Sequence, residues 1–268
     1  MKGILRLELQ RAFKNQRLWL IPALALIGFG LGYRQFLSGI PLQDAPSLEQ
    51  RFWILWYSNT FFIYLAPLLA AIPYSDSLLV DRRHGFLKNV LTRCSFSHYL
   101  TAKILANMAV GALAVCLPVA LNIMYCFLVV KINAPVLTIG ATDTTLNQIS
   151  MGALGYLFTL HTAQYLSFLV VLAAVFGAAY ATFGLAVSTW FNNTYVTIAA
   201  PFAFLVVAGY LAERSLHLAA FGHPAGAFLP FRFGMTGMQI AIQYLLLALA
   251  FLISFILYAR RARNQRLA

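Results

Sequence analysis

The sequence predicts an all-α, polytopic membrane protein with six transmembrane helices, and three observations predict it. Of the 268 residues 61% are hydrophobic and only 10% charged, where a soluble domain carries about 25% charged residues. Mean hydropathy is +0.77, and the apolar residues fall in runs that approach or exceed the roughly 20 needed to cross a bilayer. Nineteen Lys and Arg stand against seven Asp and Glu, a net charge of +12. In so oily a chain that excess points to lipid headgroups and membrane orientation, with no nucleic acid partner.

Residues 1–17 predict an N-terminal amphipathic interfacial helix. Leu5, Leu9, Ala12 and Phe13 line one face, and Arg6, Gln10, Lys14 and Arg17 another, so the helix suits the inner membrane surface with its basic face toward headgroups. The plainer alternative is a charged leader to the first span. That first apolar run begins near Leu18 with no small-residue cleavage motif close behind it, so no cleavable signal is expected.

Six spans follow, at about Leu18–Tyr33, Phe52–Tyr74, Ala102–Val130, Leu166–Trp190, Val196–Leu211 and Ile240–Tyr258. The whole chain then reads as one domain. Spans one and two occupy 18–74, an inner charged region 75–101, the third span 102–130 and an outer loop 131–165. Spans four and five occupy 166–211, a broken outer segment 212–239, the sixth span 240–258 and a basic tail 259–268. With both termini in the cytoplasm, fourteen basic residues lie inside and five outside (Arg34, Arg51, Lys131, Arg214 and Arg232). This obeys the positive-inside rule and predicts a multi-pass protein of the cytoplasmic membrane. The link "FNNTY" between spans four and five is uncharged. Segment 212–239 is too rich in Gly and Pro to span and too apolar for a solvated loop, so it is expected to be interfacial or re-entrant.

The densest charge lies in "SDSLLVDRRHGFLKNVLTRCSFSHYLTAK", Ser75 to Lys103. Asp76–His84 predicts a short helix with Ser75 or Asp76 as its cap, and Gly85 permits a sharp bend after it. Beyond the bend Phe86, Leu87, Val90, Leu91 and Cys94 share a helical face, with Lys88, Asn89 and Arg93 elsewhere. A charged helix, a bend and an amphipathic return make an elbow shaped to be gripped by a soluble partner. The alternative is a solvated loop that merely obeys the charge rule.

This stretch resembles the coupling-helix region of ABC-2 type transporter permeases, the membrane subunits of one class of ABC exporter. In "DRRHGFLKNVLTRCSFSHYLTAK" Asp81 stands at the family's first acidic position, Gly85 at its glycine, Leu87 at its leucine, Ser97 at its serine, His98 at its basic residue and Lys103 at its lysine. The departures are Arg83 for the second acid, Phe86 for threonine, Lys88 for glutamate and Ser95 for proline. The opening "LELQRAFKNQRLWLIP" is similar to the family's entry helix through Glu8, Arg11 and Arg17. The resemblance implies a cytoplasmic coupling helix between spans two and three, with Asp76, Asp81, Arg82, Arg83, His84, Gly85 and Lys88 serving contact with an ATPase. It also implies two ABC ATPase subunits and a second permease, identical or related. Cargo would be exported or extracted and amphiphilic: a peptide such as an antimicrobial peptide, an antibiotic or a lipid. ATP and Mg would be bound by the partner, since no G-x-x-x-x-G-K-[ST] loop occurs here. No cofactor is expected on this chain.

Polar positions inside the spans are Ser58, Asn59, Thr60, Asn107, Asn122 and Thr182. They either line a substrate pathway or join helices by hydrogen bonds. Trp53, Trp56, Tyr57, Tyr64 and Tyr74 read mostly as interfacial belt anchors. The pairs Gly152/Gly155 and Gly177/Gly184 suit close helix packing. Cys94, Cys116 and Cys126 lack metal spacing and read as packed thiols, while His217 and His223 lack supporting ligands, so no metal site is expected. With seven carboxylates, and His161 the one remote histidine partner for a serine, the ingredients of catalysis are scarce. A transporter subunit is expected and an enzyme is not. An intramembrane enzyme, or an immunity or structural membrane protein without transport, are the alternatives.

Overall fold

The structure is a computed structural model that describes residues 2–38, 48–86, 90, 92, 94–129, 161–214, 224 and 237–267. Among them there is no strand. Helix α1 covers Lys2–Phe13 and is followed by a 3-10 turn at Gln16–Trp19. Next come α2 (Leu20–Ser38), α3 (Leu48–Ala71) and the short α4 (Ser77–Arg83). Helix α5 (Phe96–Met124) runs into a π-helical turn at Tyr125–Val129. Helices α6 (Thr162–Val187), α7 (Thr194–Arg214) and α8 (Gly237–Leu267) complete the order.

Among the described residues four stretches are long and apolar enough to cross a membrane: Phe96–Phe127, Thr162–Val187, Thr194–Ala212 and Ala241–Arg260. They match the expected spans three to six. Helices α2 and α3 stand where spans one and two were expected, with a shorter apolar stretch at Ser58–Ala71. The third span begins earlier than its hydropathy suggested, because Ser95 opens the helix and Phe96, Tyr99 and Leu100 are already buried. Of the loop expected at 131–165, residues 131–160 lie outside the described residues and Thr162 already opens a helix; nearly all of 215–236 also lies outside, and with these stretches Gly152, Gly155, His217 and His223.

The core forms where α3, α5 and α6 meet, around Phe62, Ile63, Leu69, Val115, Leu169 and Phe176. Helix α2 packs on α3, with Phe29 stacked on Phe62 at 4.5 Å. Helices α5 and α6 cross backbone to backbone. A methyl group at Gly111 would collide with Ala181, and one at Gly177 with the Gly111 carbonyl oxygen. Small residues let helices approach this closely without a hydrophobic driving force between them. Gly184 likewise gives room to Ser75. The peripheral helices are α7 and α8, whose spanning windows are only 28% and 18% buried against 50% and 61% for α5 and α6. Val206, Val207, Leu245, Leu252 and Ile253 leave their outer faces apolar and bare, a surface that water does not tolerate at this extent.

Candidate functional site

The elbow's helix and glycine turn form as expected, while Leu87, Lys88, Asn89, Leu91 and Arg93 of the expected amphipathic return lie outside the described residues. Helix α4 ends at Arg83, and Gly85 follows with φ +67°, a left-handed conformation that an L side chain adopts only at a cost. Asp76 occupies the N-cap position but makes no capping bond. Its carboxylate instead accepts from Arg17 Nη1 at 2.7 Å. Capping is local, and this carboxylate is recruited to hold the start of the first long helix.

The more consequential surprise is Asp81, which is 1% exposed. It sits in a cluster of two carboxylates and two cations drawn from three distant segments. Lys103 Nζ lies 2.7 Å from Asp81 Oδ2 and 3.1 Å from Glu8 Oε2. Arg11 reaches Asp81 Oδ1 at 2.6 Å and Glu8 Oε1 at 3.3 Å. Tyr99 donates its hydroxyl to Asp81 Oδ2 at 2.5 Å, and Tyr74 donates to Glu8 Oε2. All four carboxylate oxygens therefore accept hydrogen bonds. The rings of Tyr74 and Tyr99 also flank the Lys103 ammonium at 5.1 and 5.2 Å, and Phe86 covers the Arg11 guanidinium at 4.6 Å, so each cation also meets an aromatic face.

Helical spacing assembles the cluster. In α1, Glu8, Arg11 and Ala12 recur at three- and four-residue intervals and share a face. Ala12 is fully buried against Tyr74, Ala106 and Val110, small enough to let α1 lie close. In α5, Tyr99, Lys103 and Asn107 repeat every four residues along the side facing α1 and α4. Asn15 fixes the end of α1, accepting from Arg17 N at 3.1 Å and donating to Pro73 O at 2.6 Å. On its other side α4 is held by Arg82 Nη2 to Ser188 O at 3.0 Å, by Arg83 to Asn192 O, and by Ser75 Oγ to Ala181 O at 3.0 Å.

Burial alone would push the Asp81 carboxyl up, but the Lys103 charge and the hydrogen bonds from Arg11, Lys103 and Tyr99 outweigh it and hold it below its ordinary 3.8. Burial would likewise favour loss of the Arg11 proton, and the bonded Asp81 carboxylate overcomes that and strengthens its hold. Two opposite pairs leave the cluster neutral. The desolvation cost of such ions offsets much of their attraction, so the cluster adds little net stability, yet removing one member strands a buried charge at about 3–5 kcal/mol. Its effect is to specify where α1 and α4 sit on α5.

The residues expected to meet an ATPase thus divide. Asp76 and Asp81, expected to meet an ATPase directly, are buried, and their carboxylates are engaged within the chain. Arg82 is half-buried, while Arg83, His84 and Gly85 are exposed at the tip. Lys88 lies outside the described residues. Tyr74, expected as a belt anchor, is buried in the cluster. Among the other proposed anchors Tyr64 is half-buried, and the side chains of Trp53, Trp56 and Tyr57 lie outside the described residues.

Inside the spans, Ser58, Asn59, Asn107, Asn122 and Thr182 are all buried and Thr60 is half-buried. Tyr33 donates to Asn122 Oδ1 and Asn122 Nδ2 to Ser58 Oγ, both at 2.8 Å, which ties α2, α3 and α5 together. Asn59 donates to Leu55 O at 2.7 Å, Thr182 to Ala178 O at 2.8 Å, and Asn107 accepts from Ser75 at 3.5 Å. The Tyr33–Asn122–Ser58 chain joins helices, whereas the Asn59 and Thr182 bonds run to the preceding turn of their own helix. No grouping of three or more potential metal ligands occurs among the described residues. No family model, curated protein or solved structure matches the chain.

Proposed function

We propose that the chain is an ABC-2-like permease: the membrane subunit of an exporter driven by ATP that a separate ATPase hydrolyses. In this reading all six long helices span the cytoplasmic membrane, both termini lie inside, and two ATPase subunits serve a pair of permeases. The cargo is amphiphilic, a peptide, antibiotic or lipid, in keeping with the apolar interior. The observation that carries the reading is the elbow's bracing. A helix that this reading puts at the cytoplasmic face is pinned through Asp81 to Lys103 on α5 and to Arg11 on α1, so force applied at its tip is transmitted to a spanning helix rather than absorbed. Packed elements convert such a push into rigid-body movement. Arg83 and His84 are the contacts offered to the ATPase, and Asp76 and Asp81 hold them in position.

The test is co-purification with an ATPase, followed by hydrolysis measured with Arg83→Glu and His84→Ala. His84→Ala should fold as the parent does, Arg83→Glu gives up its exposed bond to Asn192 O, and both should lose at least tenfold in permease-stimulated hydrolysis, on the ~1.5–3 kcal/mol expected of charge-assisted contacts. A chain that retains no ATPase, or whose tip variants stimulate hydrolysis fully, is not this subunit. Labelling a cysteine placed at position 84 in intact cells checks the orientation independently.

A further inference from the structure

The face of α1 turned away from the charge cluster carries two parallel strips. Leu5, Leu9 and Phe13 repeat every four residues, and one position along, Arg6, Gln10 and Lys14 do the same. Together they line an open groove of about 500 Å³ with an apolar floor and a basic edge. Phe13 is 49% exposed, and Arg6 and Lys14 are exposed too. Charge sharpens the picture. The inner segments hold three carboxylates, Glu8, Asp76 and Asp81, and all three are buried against Arg11, Arg17 and Lys103. Nothing acidic from those segments is left to offset Arg6 and Lys14. Further along the chain Trp19 and Leu20 are exposed, as are Trp190, Phe191 and Tyr195 in and beside the loop that Arg82 and Arg83 bind. Exposed aromatics beside basic residues mark a membrane–water boundary.

We propose that this groove binds an anionic phospholipid of the cytoplasmic leaflet, an acyl chain along Leu5, Leu9 and Phe13 and the headgroup phosphate against Arg6 and Lys14. Because the opposite face of the same helix carries Glu8 and Arg11, the bound lipid clamps α1 onto α4 and α5. Lipid occupancy and closure of the charge cluster then favour each other reciprocally. The inference rests on the inward orientation of this end and not on ATP-driven transport.

The experiment uses the full chain in mild detergent, without ATPase or nucleotide, so that its failure and that of the transporter reading are separable. Phosphatidylglycerol or phosphatidylcholine is titrated in, and amide hydrogen exchange is followed over residues 2–13. Phosphatidylglycerol should slow exchange and phosphatidylcholine should not. Arg6→Gln with Lys14→Gln should raise the phosphatidylglycerol concentration needed about 30-fold, at roughly 1 kcal/mol per basic residue. Phe13→Ser, which keeps the charges, should also weaken the effect. Equal protection by both lipids, an unchanged response in the double variant, or the same protection from inorganic phosphate alone would overturn the proposal.

Discussion

At the elbow, α1, α4 and α5 are joined by Glu8, Arg11, Asp81 and Lys103. Roughly 28 Å further along α5, at 1.5 Å per residue, Tyr33, Ser58 and Asn122 join α2, α3 and α5 without a formal charge. Each joint ties three segments, and each buries its polar groups. The charged joint closes in one arrangement, because any displacement leaves an ion unpaired where water is scarce. The neutral joint can exchange partners at small cost, since amides and hydroxyls both donate and accept. Rigidity therefore belongs to the charged joint, and adjustability to the neutral one.

Lys103→Met gives the largest expected effect. It leaves Glu8 and Asp81 to share Arg11, with one buried negative charge uncompensated, and should lower unfolding stability by about 3–5 kcal/mol, measured by thermal or denaturant unfolding in detergent. Adding Asp81→Asn should recover part of that loss, and a double variant no better than the single would break the account of a balanced cluster. The pH response comes next. Asp81 binds its proton less readily in the folded chain than its ordinary 3.8, so its contribution is complete above that value and fades as pH falls through the lower folded one. The stability gap between the parent and Asp81→Asn should accordingly be constant from pH 5 upward and shrink only in stronger acid. Gly85→Ala, which forces a side chain into positive φ, should cost about 1–2 kcal/mol. At the neutral joint, Asn122→Ala should cost least, about 0.6–1.7 kcal/mol. A loss there as large as that of Lys103→Met would erase the distinction between the two joints.

Hydropathy made the long helices legible, and charge density with a single glycine made the elbow legible. Both are local signals. The pairing inside the elbow was not, because Glu8 and Lys103 are 95 residues apart and Arg11 and Asp81 are 70. Counting charges pointed Asp81 outward, where only the packing of α1 on α5 reveals that it points in. A hint was nonetheless present: the inner segments hold just three carboxylates, and one lysine stands at the head of an apolar run. Tyr74 was misread for a related reason, since an aromatic at a span's end looks the same whether its hydroxyl meets a headgroup or a buried glutamate.

The crossing of α5 and α6 at Gly111 and Gly177 carries a mechanical consequence. A contact made mostly of backbone, with only the Ala181 and Val115 side chains at its edge, has little to repack, so the two helices resist sliding and separation there and keep chiefly relative tilt. Such a point acts as a fulcrum. A small displacement at Lys103, on one arm of α5, swings the far arm beyond Gly111 in the opposite direction.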